Sequence, residues 1–287
     1  MSEKICIVTD SCSDIPDSLL EKYEIRMIPM IIRSSKQEYK DRVNICAKDV
    51  YKLLENEILK SACPMGEDML NALEQAKEEG FTHVIAIMLS GGLSGTYNAM
   101  RLWSDNVDGL EVAVFDSRNG SIGCGIIAIQ AAKYIQEGYS FAQLTDLLPK
   151  LIENTYVYFS IEHLDLLEKG GRIGKATSLI GSVMKIHPIL SFDKEGELYS
   201  PAKVRGKAKI ASKFVSLVEK LVENHPGKPF NLLIADGDDK EGLVLVREKM
   251  KEAFPNFRDF VEAEIGATLS CYIGDEILGA GIQFLEE

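Results

Sequence analysis

The sequence predicts an α/β protein of two domains: an N-terminal three-layer α/β/α domain on a mainly parallel sheet, residues 1–155, and a C-terminal α+β domain with a mixed sheet, residues 156–287. Three observations carry this expectation. At 287 residues the chain is about twice the ~150 of an ordinary domain. Its first half alternates short β-rich runs with amphipathic helical runs, as parallel strands joined by crossover helices do. Its second half leaves that alternation with a hairpin signal around Lys194, Glu195 and Gly196.

Taken in order, "KICIVTD" is a β-branched apolar run and reads as a strand, "DSLLEKY" as a short helix and "RMIPMII" as a second strand. "AKDVYKLLENE" and "GEDMLNALEQAKEE" carry apolar residues at helical spacing, and "THVIAIML" returns to the sheet. A turn of glycines and hydroxyls, "SGGLSG", precedes a helix over "TYNAMRLW", starting at Ser94 or Gly95. A strand "LEVAVFDS" and two helices, "GIIAIQAAKYIQE" and "SFAQLTDLLPKLIEN", complete the first half. The second half reads as a strand "YVYFSI", a glycine turn "EKGGRIGKA" leading into a helix, and the hairpin "HPILSFDKEGELYSPAKV". A long helix "KIASKFVSLVEKLVEN", a strand "FNLLIAD", a helix "EGLVLVREKMKEAF" and a last strand "GAGIQFLE" follow.

Composition excludes several classes of function. No stretch approaches the ~20 apolar residues of a membrane span, and "MSEKICIVTDS" lacks the layout of a signal peptide, so a cytoplasmic location is expected. With 44 acidic against 32 basic residues the formal charge is −12, which argues against a nucleic-acid surface. The six cysteines are scattered, with neither C-x-x-C nor metal-ligand spacing, so reduced thiols and no metal site are expected. One basic island, "KVRGKAK" at 203–209, could dock an acidic partner.

The turn "LSGGLSGT" offers unpaired helix-end N–H groups, close backbone approach at Gly91, Gly92 and Gly95, and hydroxyls from Ser90, Ser94 and Thr96. That combination suits an anion; Ser94 as a plain N-cap is the alternative. A nucleophile elbow requires G-x-S-x-G, and here the second glycine comes one place early. No P-loop or dinucleotide fingerprint occurs. "VTDSCSDIP" gathers Asp10, Ser11, Ser13 and Asp14 at the end of the first strand, as a ligand site or as an Asx turn with a cap. "KSACPM" sets Ser61 in a loop. "EKGGRIG" sets Arg172 on a glycine turn, for an anion or a surface ion pair. "DGDDKEG" is not a calcium loop, because its glycine is misplaced and Arg247 stands where the bidentate Glu should be.

In order along the chain, "TDSCSDIP", "KSACP", "LSGGLSGTYNA", "FDSRNGSIGCG", "LEKGGRIG", "HPIL", "KVRGKAK" and "GDEILGAGI" resemble the DegV family of bacterial fatty-acid-binding proteins over nearly the whole chain. The resemblance implies a two-domain, non-enzymatic lipid-binding protein with no cofactor. A long-chain fatty acid would lie in an apolar tunnel with its carboxylate near the domain interface. The acid would be presented to a separate fatty acid kinase catalytic subunit that makes an acyl phosphate for phospholipid synthesis. It places head-group contacts at Ser61, Ser94 and Arg172, with Gly95 and Thr96 in the same turn. Tyr272 stands where the family usually has a histidine, and a phenol can hydrogen-bond a carboxylate without adding positive charge. Arg172, Lys203, Arg205 and Lys207 would dock the acidic kinase, and transient membrane contact is allowed for. A monomer is the default expectation. Small residues in "GSIGCGIIAIQAA" and "ATSLIGSVM" would leave room for the tail or simply let helices pack closely. The alternative is a dihydroxyacetone-kinase-like or hydrolase enzyme using Ser94 or Asp10.

Overall fold

The computed structural model describes residues 3–162, 164–179 and 186–286. β1 (Ile5–Asp10) passes through a 3-10 turn (Ser11–Ser13) to α1 (Asp17–Lys22) and β2 (Arg26–Ile28). Next come β3 (Ile31–Arg33), β4 (Glu38–Lys40), α2 (Ala47–Leu54), β5 (Lys60–Ala62), α3 (Gly66–Glu78), β6 (His83–Met88), α4 (Thr96–Ser104), β7 (Glu111–Asp116), α5 (Ile122–Gln136) and α6 (Phe141–Glu153). β8 (Thr155–Ser160), α7 (Asp165–Gly170), a 3-10 turn (Gly174–Leu179), β9 (Ile186–Phe192), β10 (Leu198–Arg205) and α8 (Ile210–Asn224) follow. After these come β11 (Phe230–Asp236), α9 (Lys240–Ala253), β12 (Phe260–Glu264), α10 (Ala267–Ile273) and β13 (Leu278–Phe284).

The first sheet has the order β2-β1-β6-β7 and is parallel throughout. Side chains alternate across it as a pleated strand requires. Cys6 and Val8 join Val84, Ala86 and Met88 in a core with Met69 and Leu73 of α3 and Met100 of α4. Ile7, Ile85 and Ile87 face the other way, into a core with α5 and α6. Helices therefore cover both faces, as the alternation in the sequence predicts. The large second sheet, β10-β9-β8-β13-β11-β12, is mixed: only β11 and β12 run parallel. One of its faces packs on α8 and α9 through Phe214, Val218, Val246 and Met250.

α5 lies between the two sheets. Every residue from Ile122 to Ala132 is buried, which explains why this helix is apolar all round. Its one amide in that run, Gln130, accepts a 3.1 Å hydrogen bond from Asn231 of β11, so the polar group pins helix to sheet.

Three expectations are corrected. "RMIPMII" is two strands in different sheets: β2 pairs with β1, and after Pro29, which has no N–H to give a ladder, β3 enters a small antiparallel sheet of order β4-β3-β5. Ser61, expected in a loop, lies on the three-residue strand β5, which like β12 and α10 is too short to show periodicity in the sequence. The helix after the glycine turn is a 3-10 segment to Leu179, and the rest of "ATSLIGSVM" lies outside the described residues.

Candidate functional site

The turn after β6 is held at both ends. Ser90 N–H donates to the Asn119 carbonyl at 2.9 Å, and Ser90 Oγ donates to the Gly196 carbonyl at 2.7 Å in the β9–β10 hairpin. A Cβ on Gly92 would come within 2.5 Å of that same carbonyl oxygen, so only glycine lets the turn and hairpin approach this closely. α4 begins at Thr96 with Gly95 as its N-cap, and Ser94 Oγ sits 2.8 Å from Thr96 Oγ1 and 3.8 Å from Cys63 Sγ.

Three further segments bring polar side chains to this turn. Ser61, on β5, has its N–H 3.0 Å and its Oγ 2.8 Å from Tyr272 Oη of α10. The Tyr272 ring lies against Gly170, where a Cβ would come within 2.4 Å of the ring, so the glycine turn makes room for the phenol. Arg172, half-buried, places its guanidinium carbon 5.4 Å from the Tyr272 ring centroid, a cation–π geometry. Its Nη1 donates to the Gly170 carbonyl at 2.6 Å and its Nε to the Leu93 carbonyl at 3.4 Å. Two of an arginine's five N–H donors are thus used, and the others can meet an anion.

Ser61, Ser94, Arg172 and Tyr272 all line one cavity, which with its mouth encloses about 860 Å³. The rest of the wall is mainly apolar: Leu89 and Leu93, the first turn of α5, and the inner face of β8, β11 and β13 through residues such as Val157, Phe159 and Leu233. Gly95 and Thr96 are not part of the lining. Thr96 is fully buried and its hydroxyl points to Ser94 Oγ and Met30 Sδ, so it fixes Ser94 rather than facing a ligand.

Asp10 is closed off from chemistry. It is fully buried and absent from the lining, and its two oxygens accept from Leu89 N at 2.7 Å and Cys12 N at 2.9 Å. Burial pushes its pKa up to about 6. The carboxylate clamps the end of β1 to the end of β6 and caps the following 3-10 turn, so the capping interpretation of "TDSCSD" is the one the geometry shows. Ser94 Oγ likewise has Thr96 and Cys63 as partners, and among the described residues no imidazole or carboxylate hydrogen-bonds it.

Two carboxylates unforeseen as positioning groups seat α10. Asp14 Oδ1 accepts from Gly266 N at 3.0 Å. Asp41 Oδ2 accepts from Thr268 N at 3.2 Å, Thr268 Oγ1 at 2.7 Å and Ser11 Oγ at 2.8 Å. Both anchor the helix that carries Tyr272. Asp14 belonged to a sequence island already singled out, but nothing marked Asp41 or Thr268, whose partners are 227 residues apart. Lys203 and Arg205 are exposed on β10. Lys207 is ion-paired to Asp239 at 3.2 Å and Glu276 at 3.5 Å, so its charge is partly met within the chain.

The profile described as "Uncharacterised protein, DegV family" matches residues 4–285. The chain belongs to the DegV family. A DegV domain-containing protein of Clostridium acetobutylicum is 32% identical over 98% of this chain and 99% of its own length. Among solved structures, a DegV family protein from Thermus thermophilus, described for its fatty acid binding, superposes with a TM-score of 0.91 at 26% identity, covering 98% of this chain and 100% of that one. DegV of Bacillus subtilis, described as a fatty acid binding protein, gives a TM-score of 0.87 at 27% identity, covering 99% and 100%. The α/β architecture described above is therefore the DegV fold. Among the described residues no helix is long and apolar enough to cross a membrane.

Proposed function

We propose that this DegV chain binds a long-chain fatty acid, tail in the apolar cavity and carboxylate at Ser61, Ser94, Tyr272 and Arg172, and presents it to a separate fatty acid kinase catalytic subunit. The observation that carries the reading is the convergence of these four polar side chains in a mainly apolar cavity. A carboxylate leaving water needs compensation, and each charge-assisted hydrogen bond contributes about 1.5–3 kcal/mol. Each buried CH₂ adds about 0.8 kcal/mol, so a chain of about sixteen carbons gains on the order of ten after ordering costs. The bound acid is the ligand and no cofactor is required. The acyl phosphate would form in the cytoplasm and feed phospholipid synthesis, with transient contact at the membrane surface where acids enter. Exposed Lys203 and Arg205, with Arg172 and Lys207, would meet the acidic kinase partner.

The test is phosphorylation of a bound long-chain acid by ATP, with and without a bacterial fatty acid kinase. Acyl phosphate only when the kinase is present supports presentation; turnover by the isolated chain overturns it. An enzymatic reading based on Ser94 or Asp10 finds little support in the site, since among the described residues no base hydrogen-bonds Ser94, and Asp10 is fully buried. It predicts that Ser94→Ala abolishes turnover, whereas the binding reading predicts weaker retention of the acid.

A further inference from the structure

Ser121 precedes the first turn of α5 and lines the same cavity, yet it belongs to none of the contacts around Tyr272. Its Oγ is buried and receives no hydrogen bond, and the Asp14 carboxylate is the acceptor beside it. The residue sits at φ 51 and ψ −145, backbone space that glycine ordinarily occupies. Two more buried acceptors flank it. Asp14 is 4% exposed with Ser121 beside it, and Asn119 is 4% exposed with its Oδ1 lacking a partner; both stand behind the cavity lining. Ser121 lies close enough to Asp14 to favour the carboxylate form, while burial as the larger effect lifts the Asp14 pKa to about 7. Asn119 Oδ1 lies 2.9 Å from where a Cβ on Gly123 would stand, and Gly123 is itself part of the cavity wall.

We propose that the turn at Ser121, backed by Asp14 and Asn119, is a polar subsite for an oxygen function carried part-way along the acyl chain: a hydroxyl on a long-chain acid. The inference rests on the acyl-binding reading above and adds a specificity to it. Unsatisfied buried donors and acceptors are costly, and a plain methylene chain satisfies none of them. A ligand hydroxyl can give a hydrogen bond to Ser121 Oγ, whose residue is the one of the three that lines the cavity, while Asp14 takes the Ser121 proton behind it. Position also fits. Asp14 holds Gly266 at the start of α10, while Tyr272 lies six residues on, roughly 9 Å along a helix axis, so the subsite faces the middle of a long chain rather than its carboxylate.

The experiment is displacement of a fluorescent fatty acid by octadecanoic acid and by a positional series of hydroxyoctadecanoic acids, on the full chain and on Ser121→Gly. Glycine suits the positive φ, so the variant removes the hydroxyl without adding strain. One narrow set of mid-chain isomers is expected to compete about tenfold better than octadecanoic acid, and that ratio is expected to fall to about one in the variant. Every hydroxy isomer competing more weakly than the plain acid, or a ratio unchanged in Ser121→Gly, overturns the subsite. The wild-type series decides the sign even if the variant fails to fold. Failure of octadecanoic acid itself to compete overturns the acyl-binding reading beneath it.

Discussion

Tyr272 joins three parts of the chain through one side chain: its Oη meets Ser61, its ring covers Gly170, and the Arg172 guanidinium stacks over that ring. Tyr272→Phe keeps the ring and removes the hydroxyl, leaving the Ser61 N–H without its acceptor. Retention of a fluorescent fatty acid is expected to weaken about five- to thirtyfold, equivalent to ~1–2 kcal/mol, with the cavity wall intact. An unchanged affinity would remove Tyr272 from the head-group site. Arg172→Lys tests the neighbouring group. Lysine keeps the charge but loses the planar fork that reaches Leu93 and Gly170 while stacking on the phenol, so titration should show affinity close to Arg172→Ala rather than to wild type. At this scale the sequence was informative where a residue sits beside glycines or ends a strand. It could not distinguish Ser94, which lines the cavity, from Thr96 two places on, which is turned into the core. That difference depends on the first turn of α4, where Thr96 faces Met30.

Among the elements, α10 and β5 decide the site, and neither is long enough to announce itself in a sequence. α10 has seven residues and β5 three, whereas a helical or alternating pattern needs a longer window to rise above chance. Their positions are set from outside. Asp14 and Asp41 hold the start of α10, and the Asp41 carboxylate alone satisfies the Thr268 N–H and the Ser11 and Thr268 hydroxyls. Asp41→Ala leaves these donors buried without an acceptor. Denaturant titration should show a loss of about 2–4 kcal/mol, and fatty acid retention should fall with it because Tyr272 is no longer seated. Asp41→Asn, which keeps one acceptor oxygen, should recover part of both. The long elements were legible for the opposite reason: β1, β6, β7 and the helices between them are patterned over enough residues to fix their type.

At the level of the whole molecule, α5 is a shared layer between the two sheets, and the cavity opens beside its first turn. Its apolar sequence reads as a helix, but which surfaces enclose it is a tertiary fact. The same packing buries Asp10, Asp14 and Asp41, and desolvation raises all three pKa values, to about 6 for Asp10 and about 7 for Asp14. The folded state then binds more protons than the unfolded one across the interval from their ordinary value near 4 to about 7. The stability these groups contribute is full below that interval and is lost as pH rises through it. The thermal midpoint should therefore decline between about pH 5 and 7.5, and Asp14→Asn should flatten the decline; a midpoint rising over that range would contradict the assignment. The turn at Gly92 and the hairpin at Gly196 meet across the two halves of the molecule. Gly92→Ala must push a backbone carbonyl aside, so it should lower stability by about 1–3 kcal/mol and loosen the Arg172 side of the site.

The most direct measurement is native mass spectrometry of the protein purified without added lipid, followed by identification of whatever an organic solvent extracts from it. A long-chain fatty acid at one per chain, reduced in Arg172→Ala and Tyr272→Phe, is the predicted result. A protein that is empty and takes up no fatty acid when offered one would contradict the account, whatever else the cavity proved to hold.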